Sequence, residues 1–288
     1  MVWAFILKPL ERTLFRFRNF KGFRRLDHLF VYGILSKKRV VFSHKIGSIR
    51  IFLLSNLNDD LFGISRTGEL GRWEPESLRI WDKICAKSES VIDVGAYSGI
   101  YSIIAGKQGV KTVYSIEPNL NSAIRLSGNL RINRLTNVKV ITKPLDSESG
   151  IKMSLYVPEK SQGSSGKALE SSGARFFDSA NDSLLIDDQK WSRIGIQETI
   201  KLDEVIDQNL KVGAIKIDAE GMELRVLQGA TRVLRTHKPH LIIETWSKSV
   251  TSEINKFLGD FGYLSGVVID DSTFNLNSRN LYFNPEAT

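Results

Sequence analysis

From Ser90 onward, short apolar runs alternate with stretches of helical periodicity. Ser90–Val94, Val113–Ile116 and Val138–Ile141 are rich in branched side chains and predict strands. Helices are predicted near Gly99–Lys107 and over Leu120–Asn129. Ile151–Val157 adds a strand, and Gln197–Leu202 is expected to be another, feeding a helix over Asp203–Gln208. Ala214–Ile217 then predicts a strand, Gly221–Arg235 a single helix, and Leu241–Glu244 a strand. Ser252–Asp260 predicts the last helix, with strands around Tyr263–Ile269 and Asn280–Phe283. Upstream, Val40–Leu54 reads as two strands around the turn residues Lys45–Ser48, and Glu74–Lys87 as a helix with Pro75 near its start. Strands alternating with helices imply parallel βαβ units and a doubly wound sheet.

Two segments depart from this rhythm. Pro158–Lys190 is a long Ser/Gly/Asp-rich excursion, of the kind that usually carries function within a compact domain. From Pro9 a helix is expected whose Leu10, Leu14, Phe17 and Phe20 share one face. Charge sets this segment apart: residues 1–50 hold 12 Lys/Arg and two acids, leaving 28 Lys/Arg against 30 Asp/Glu in the remainder. The net charge of +8 therefore belongs to the N-terminal part. Its stripe is expected to pack on the domain. An alternative is an interfacial helix within residues 1–25 on an anionic membrane, with Trp3 and Phe5 as anchors. The division expected is a basic extension with a helix and short strands over 1–71, and a catalytic domain over 72–288.

With 42% hydrophobic and 25% charged residues the composition is that of a globular protein. No run approaches the ~20 apolar residues of a membrane span, and no signal peptide is evident. The single cysteine, Cys85, excludes an intrachain disulfide and is expected to be a buried apolar residue. A cytoplasmic chain, with the basic segment available to a membrane surface, is the resulting expectation.

Ligands of open parallel sheets bind beyond the carboxyl ends of the strands. Asp93, Glu117, Asp218 and Glu244 fall at such ends, whereas His237 and His240 fall at the opposite edge and suit structural roles. Asp93-x-Gly95-x-x-x-Gly99, with Ala96 and Tyr97 inside it, lies between a strand and a helix. A dinucleotide loop wants three closely spaced glycines for a pyrophosphate, and an acid at the strand end repels one. S-adenosylmethionine carries no phosphate, and its ammonium and sulfonium are cationic. Glu117, followed by Pro118, ends the next strand, where a carboxylate accepts both ribose hydroxyl hydrogens. Leu145 and Asp146, beyond the third strand, are expected to touch the adenine. Asp218, Glu220 and Glu223 follow the fourth strand. Asp218 and Glu220 are assigned to catalysis, orienting or deprotonating an acceptor, and Glu223 to the helix N-terminus. These carboxylates permit a metal without demanding one, and none is assigned.

The segments VIDVGAYSGIYS (91–102), VYSIEPN (113–119), LDEVI (202–206), IKIDAEGMELRVLQGA (215–230) and PHLIIET (239–245) resemble the FkbM-type methyltransferase family over about residues 72–285. Asp-x-Glu-Gly-x-Glu at 218–223 is the most specific part. The resemblance implies a class I methyltransferase fold: an α/β, Rossmann-like, mostly parallel sheet with a final antiparallel strand. It also implies S-adenosylmethionine as cofactor and O-methylation of a hydroxyl on a sugar, glycan, lipid or small molecule. Tyr97 stands where the family often has a smaller polar residue, and Ser161–Gly166 resembles its substrate-side loop. Residues 1–40 lie outside the likeness.

Other readings differ in their motifs. Nucleobase amino methylation expects Asn/Asp-Pro-Pro-Tyr after the fourth strand, and cytosine C5 methylation a cysteine beyond the cofactor loops; neither is present. RNA ribose 2′-O-methylation stays open through Asp218 and Lys248, although no aromatic-rich RNA-binding motif favours nucleic acid. A non-catalytic binding module is the alternative from another class, disfavoured by the acids at 93, 117, 218 and 220.

Overall fold

The computed structural model describes residues 40–55, 73–158, 175–178, 191–271 and 278–285. The helix expected from Pro9, the membrane segment within 1–25 and most of the 158–190 excursion lie outside these residues. A hairpin of β1 (Val40–Ile46) and β2 (Ile49–Ser55) comes first, followed by helix α1 (Pro75–Cys85). Three strands and two helices then alternate: β3 (Ser90–Val94), α2 (Ile100–Lys107), β4 (Thr112–Ile116), α3 (Leu120–Ile132) and β5 (Val138–Ile141). Strands β6 (Lys152–Pro158), β7 (Arg175–Asp178) and β8 (Trp191–Glu198) follow, and then the short helix α4 (Leu202–Val205). The remainder is β9 (Val212–Ile217), α5 (Glu223–Gln228), α6 (Thr231–His237), β10 (His240–Thr245), α7 (Lys248–Gly259), β11 (Val267–Asp271) and β12 (Arg279–Phe283).

Seven strands form one sheet in the order β11-β12-β10-β9-β3-β4-β5. β12 runs antiparallel to both neighbours, and the other pairings are parallel. This is the doubly wound sheet with a final antiparallel strand that the sequence implies. Each face is covered, so a central strand such as β3 is buried along its whole length. Side chains alternate between two cores. Ile92, Ile215, Ile217 and Ile243 join Val226, Leu227 and Leu234 on one face. Val91, Ala214 and Ile242 join Trp81, Ile103 and Ile104 on the other.

The hairpin belongs to that second core. Ile51 and Leu53 are fully buried among residues of α1 and α2. Asn133 of α3 accepts from Phe52 N (3.0 Å) and donates to Phe52 O (2.6 Å), standing in for a neighbouring strand. Asn129 Oδ1 accepts from Leu54 N at 2.6 Å. Residues 46–54 thus share a core and hydrogen bonds with α1, α2 and the carboxyl end of α3.

Three expectations change. β6 does not join the main sheet, but lies between β7 and β8 in an antiparallel sheet of its own. β8 begins at Trp191, ahead of the expected Gln197, and ends at Glu198, ahead of Thr199, whose N donates to Ile151 O and Oγ1 to Glu148 O. The single helix expected over Gly221–Arg235 is two. A Cβ on Gly229 would meet Asp146 O at 2.1 Å, and Asp203 caps the second helix by accepting from Arg232 N and Val233 N.

Candidate active site

The carboxyl ends of β3, β4, β9 and β10 bring Asp93, Glu117, Asp218 and Glu244 to one edge of the sheet. The loop after β3 is tight, with Gly95, Tyr97 and Gly99 all at positive φ. The glycines answer to the protein's own packing: a Cβ on Gly95 would lie 1.7 Å from Asp218 O, and one on Gly99 2.2 Å from Leu126 Cδ1. The amides of Gly95 and Ala96 both donate to Ile116 O, that of Gly99 to Ala96 O, and that of Tyr97 to Glu117 Oε2 at 2.7 Å. These four amides are spent inside the fold, where a phosphate loop would offer them to its ligand.

Asp93 is buried and fixes the start of α2. Its Oδ2 accepts from Ser102 N (2.9 Å) and Ser102 Oγ (2.6 Å). Burial raises its pKa to about 6, against the pull of Ser102 and the Lys216 ammonium. Glu117 accepts from Tyr97 N through Oε2 and from Asn119 N (2.8 Å) through Oε1. Burial brings it to about 7 despite those two amides. Arg125 Nη1 donates to the Tyr97 hydroxyl at 3.1 Å, with the guanidinium 5.2 Å from the ring centre. That contact gives the oversized side chain at position 97 a fixed place on the rim.

Across the edge, the carboxylates press on one another. Asp218 and Glu244 each follow a paired position of β9 and β10, Ile217 and Ile243, which sets their carboxyls against each other. Its Oδ1 is buried with no partner among the described residues. Burial and the Glu244 charge hold the Asp218 carboxyl well above the usual carboxylate range. Glu220, at φ 50°, is raised as well by burial and by Asp218, with Arg175 opposing. Glu223 takes the expected structural part, its Oε1 accepting from Ala219 N (3.1 Å) and Gly221 N (2.9 Å). Among the described residues, no three His, Cys, Asp or Glu side chains form a group able to hold a metal ion.

Leu145 and Asp146, expected at the adenine, both sit in packed surroundings. Leu145 is buried in the main core, and its backbone bridges to Ile200. Asp146 is fully buried against Arg225, with Nε to Oδ1 at 2.8 Å and a close but poorly aligned Nη2 to Oδ2 contact at 2.7 Å. A cluster packed this way serves α5 and the turn at Gly229. Neither residue lines the open groove of about 550 Å³ beside Glu117, whose walls include Pro118, Leu120, Thr142, Lys143, Ile196 and Gln197. Gln197 donates from Nε2 to Pro118 O, while its Oε1 is buried and unpartnered among the described residues.

Three participants were not assigned from sequence: Glu244 as the partner of Asp218, Glu74 ahead of α1, and Lys216 within β9. Glu74 sits at φ 47° and accepts from the Tyr101 hydroxyl. Lys216 left a readable signal, a charge between Ile215 and Ile217 in a strand expected to be buried. Cys85 is buried as expected, and burial pushes its thiol up. His237 accepts from Val212 N, and His240 stacks on Tyr282, at the far edge.

No curated protein matches the chain in sequence. Among solved structures, it is similar to Methyltransferase FkbM from Methylobacillus flagellatus KT at 20% identity, with a TM-score of 0.46, over 68% of this chain and 44% of that one. It thus spans less than half the length of that protein. TYW2 from M. jannaschii, crystallised in complex with AdoMet, is similar at 14% identity and a TM-score of 0.43 over 86% of each chain. The Methyltransferase FkbM domain profile matches residues 93–265, and with the acids at 93, 117, 218 and 220 inside that span, the chain belongs to the FkbM methyltransferase domain family.

Proposed function

We propose that this chain is an S-adenosylmethionine-dependent O-methyltransferase acting on a hydroxyl of a sugar, glycan, lipid or small-molecule acceptor. The observation that carries this reading is the loop after β3. Its amides at 95, 96, 97 and 99 are internally bonded while carboxylates line the adjacent edge. Such a site has little to offer a phosphate and much to offer a cation. When bound, the cofactor supplies an electrophilic methyl group on a sulfonium.

Glu117 keeps lone pairs for the two ribose hydroxyls while its backbone partners fix its orientation. Asp93 contributes negative charge from behind the loop, and Gly95, Ala96, Tyr97 and Gly99 shape its rim. Pro118 and the groove beside it would take the adenine. Asp218 and Glu220 stand on the acceptor side. A proton shared between Asp218 and Glu244 would make the pair, not Asp218 alone, the group that takes the proton from the attacking hydroxyl. In the RNA 2′-O reading Lys248 would share the site, but it is exposed on the first turn of α7, and the lysine acting on Asp218 is Lys216.

Calorimetry with S-adenosylmethionine and S-adenosylhomocysteine tests the cofactor; absence of binding by both sinks the reading. Mass-shift screening of hydroxylated sugars, lipids and RNA with a labelled methyl donor identifies the acceptor. D218N and E220Q are then expected to keep cofactor affinity within about threefold and to lose about 100-fold or more in kcat. Unchanged turnover removes them from the mechanism.

A further inference from the structure

β9 lies between β3 and β10 in the centre of the sheet, where both faces are covered and a charge is out of place. Lys216 is nevertheless only 1% exposed. Its Nζ donates to Asn280 Oδ1 at 2.9 Å and lies 5.4 Å from the centre of the Tyr101 ring. One neutral acceptor and one ring do not offset the several kcal/mol that burying an ammonium costs. The compensation comes from acids on different elements: Glu74 ahead of α1, Asp93 of β3, Asp218 after β9 and Glu244 of β10. Glu223 of α5 also feels this charge, and Glu220 stands against Asp218. The Tyr101 hydroxyl of α2 is itself committed to Glu74.

Register explains how the arrangement is built. Lys216 pairs directly with Asp93 across β3, and Asn280 pairs with Glu244 across β12. The ammonium is thus aimed by a residue whose strand neighbour is the partner of Asp218. Burial opposes its charge, yet the surrounding acids together raise its proton affinity above the ordinary lysine range.

We propose that Lys216 is a positioning residue, the internal counter-ion that keeps the Asp218–Glu244 pair at a single proton. Two carboxyls set side by side hold none, one or two protons. With several acids close by and no cation, the pair takes a second proton and has no carboxylate left. The ammonium favours the anionic form, so one carboxylate stays ready for the acceptor's proton. This role rests on the reading of this edge as the acceptor side.

The test is a carboxyl-carbon NMR titration of the full chain without ligand, with the pair assigned through D218N and E244Q. In K216Q and K216M the pair's lower midpoint should rise by about one pH unit or more, a tenfold tighter hold on the proton. K216R, which keeps a cation, should return it toward the parent value. Unchanged or lowered midpoints in folded K216Q and K216M overturn the proposal. If neither neutral variant folds near pH 7, acid becomes the readout. At about pH 5 Asp93, held at about 6, is protonated and a cooperative melt should return. A chain that stays unfolded there also overturns it, because acid relieves an electrostatic defect and leaves a packing defect in place. Calorimetry with S-adenosylhomocysteine is run in parallel. Failure of the parent to bind it counts against the cofactor reading alone, since the titration needs no ligand.

Discussion

The carboxylates at the ends of β3 and β4 and those at the ends of β9 and β10 share one sheet edge, yet they are held in opposite ways. On the first side each acid is tied to backbone: Asp93 to Ser102 N, Glu117 to Tyr97 N and Asn119 N. On the second, Asp218 leans on Glu244, Asp218 Oδ1 and Glu223 Oε2 are buried without partners among the described residues, and a buried lysine supplies the opposing charge. Backbone amides cannot move without the fold, so the first side is set before any ligand arrives. Carboxyls that share protons can change state with little atomic movement. Carboxylates tied to backbone and carboxyls set against one another are thus divided between two pairs of strands.

The most severe way to break this division is G95A. Its Cβ would occupy the place of Asp218 O at a φ that disfavours side chains, so both sides are displaced at once. More than about 4 kcal/mol of stability should be lost, seen as an insoluble chain or a collapsed thermal melt. E117Q separates the two sides. Cofactor affinity by calorimetry should fall about 100-fold, through charge-assisted bonds to the ribose lost. The same substitution sharpens the pH behaviour of the first side. The folded chain holds Glu117 at about 7 and Asp93 at about 6, against ordinary values of 4.5 and 3.8. It therefore binds protons that the unfolded chain releases, and stability falls as pH rises from about 4 to about 7. Melting midpoints should be higher at about pH 5 than at about pH 8, and E117Q should flatten that slope. The smallest effect is expected at Gly221, at φ 102° with open space where a Cβ would sit. G221A should cost only the backbone strain, about 1 kcal/mol by denaturant unfolding. A loss as large as that of G95A would show that the second side is packed as tightly as the first.

The parallel strands were legible because each is a short branched run bounded by a turn, and their order follows from alternation with helices. The shared edge of the sheet followed from where acids fall on those strands. Pairing partners are not written in periodicity, so the separate β6–β7–β8 sheet was missed. The break at Gly229 depends on Asp146 O and Asp203, both distant in sequence. The packing of Asp146 against Arg225 joins residues 79 positions apart, which periodicity does not show. Lys216 was visible as a charge in an apolar strand, but its acids come from five separate elements, and only the folded sheet assembles them.

The pairing of β3 with β9 has a consequence for how the chain matures. Val94 and Val212 are more than a hundred residues apart in sequence, while their strands lie side by side. The loop over 95–99 rests on a carbonyl that emerges from the ribosome only after the whole intervening β4–β8 region. Closing so long a segment is slow compared with forming the local helices. Binding competence should therefore appear late in refolding, together with the last cooperative step, and fragments ending before β9 should retain helix without it.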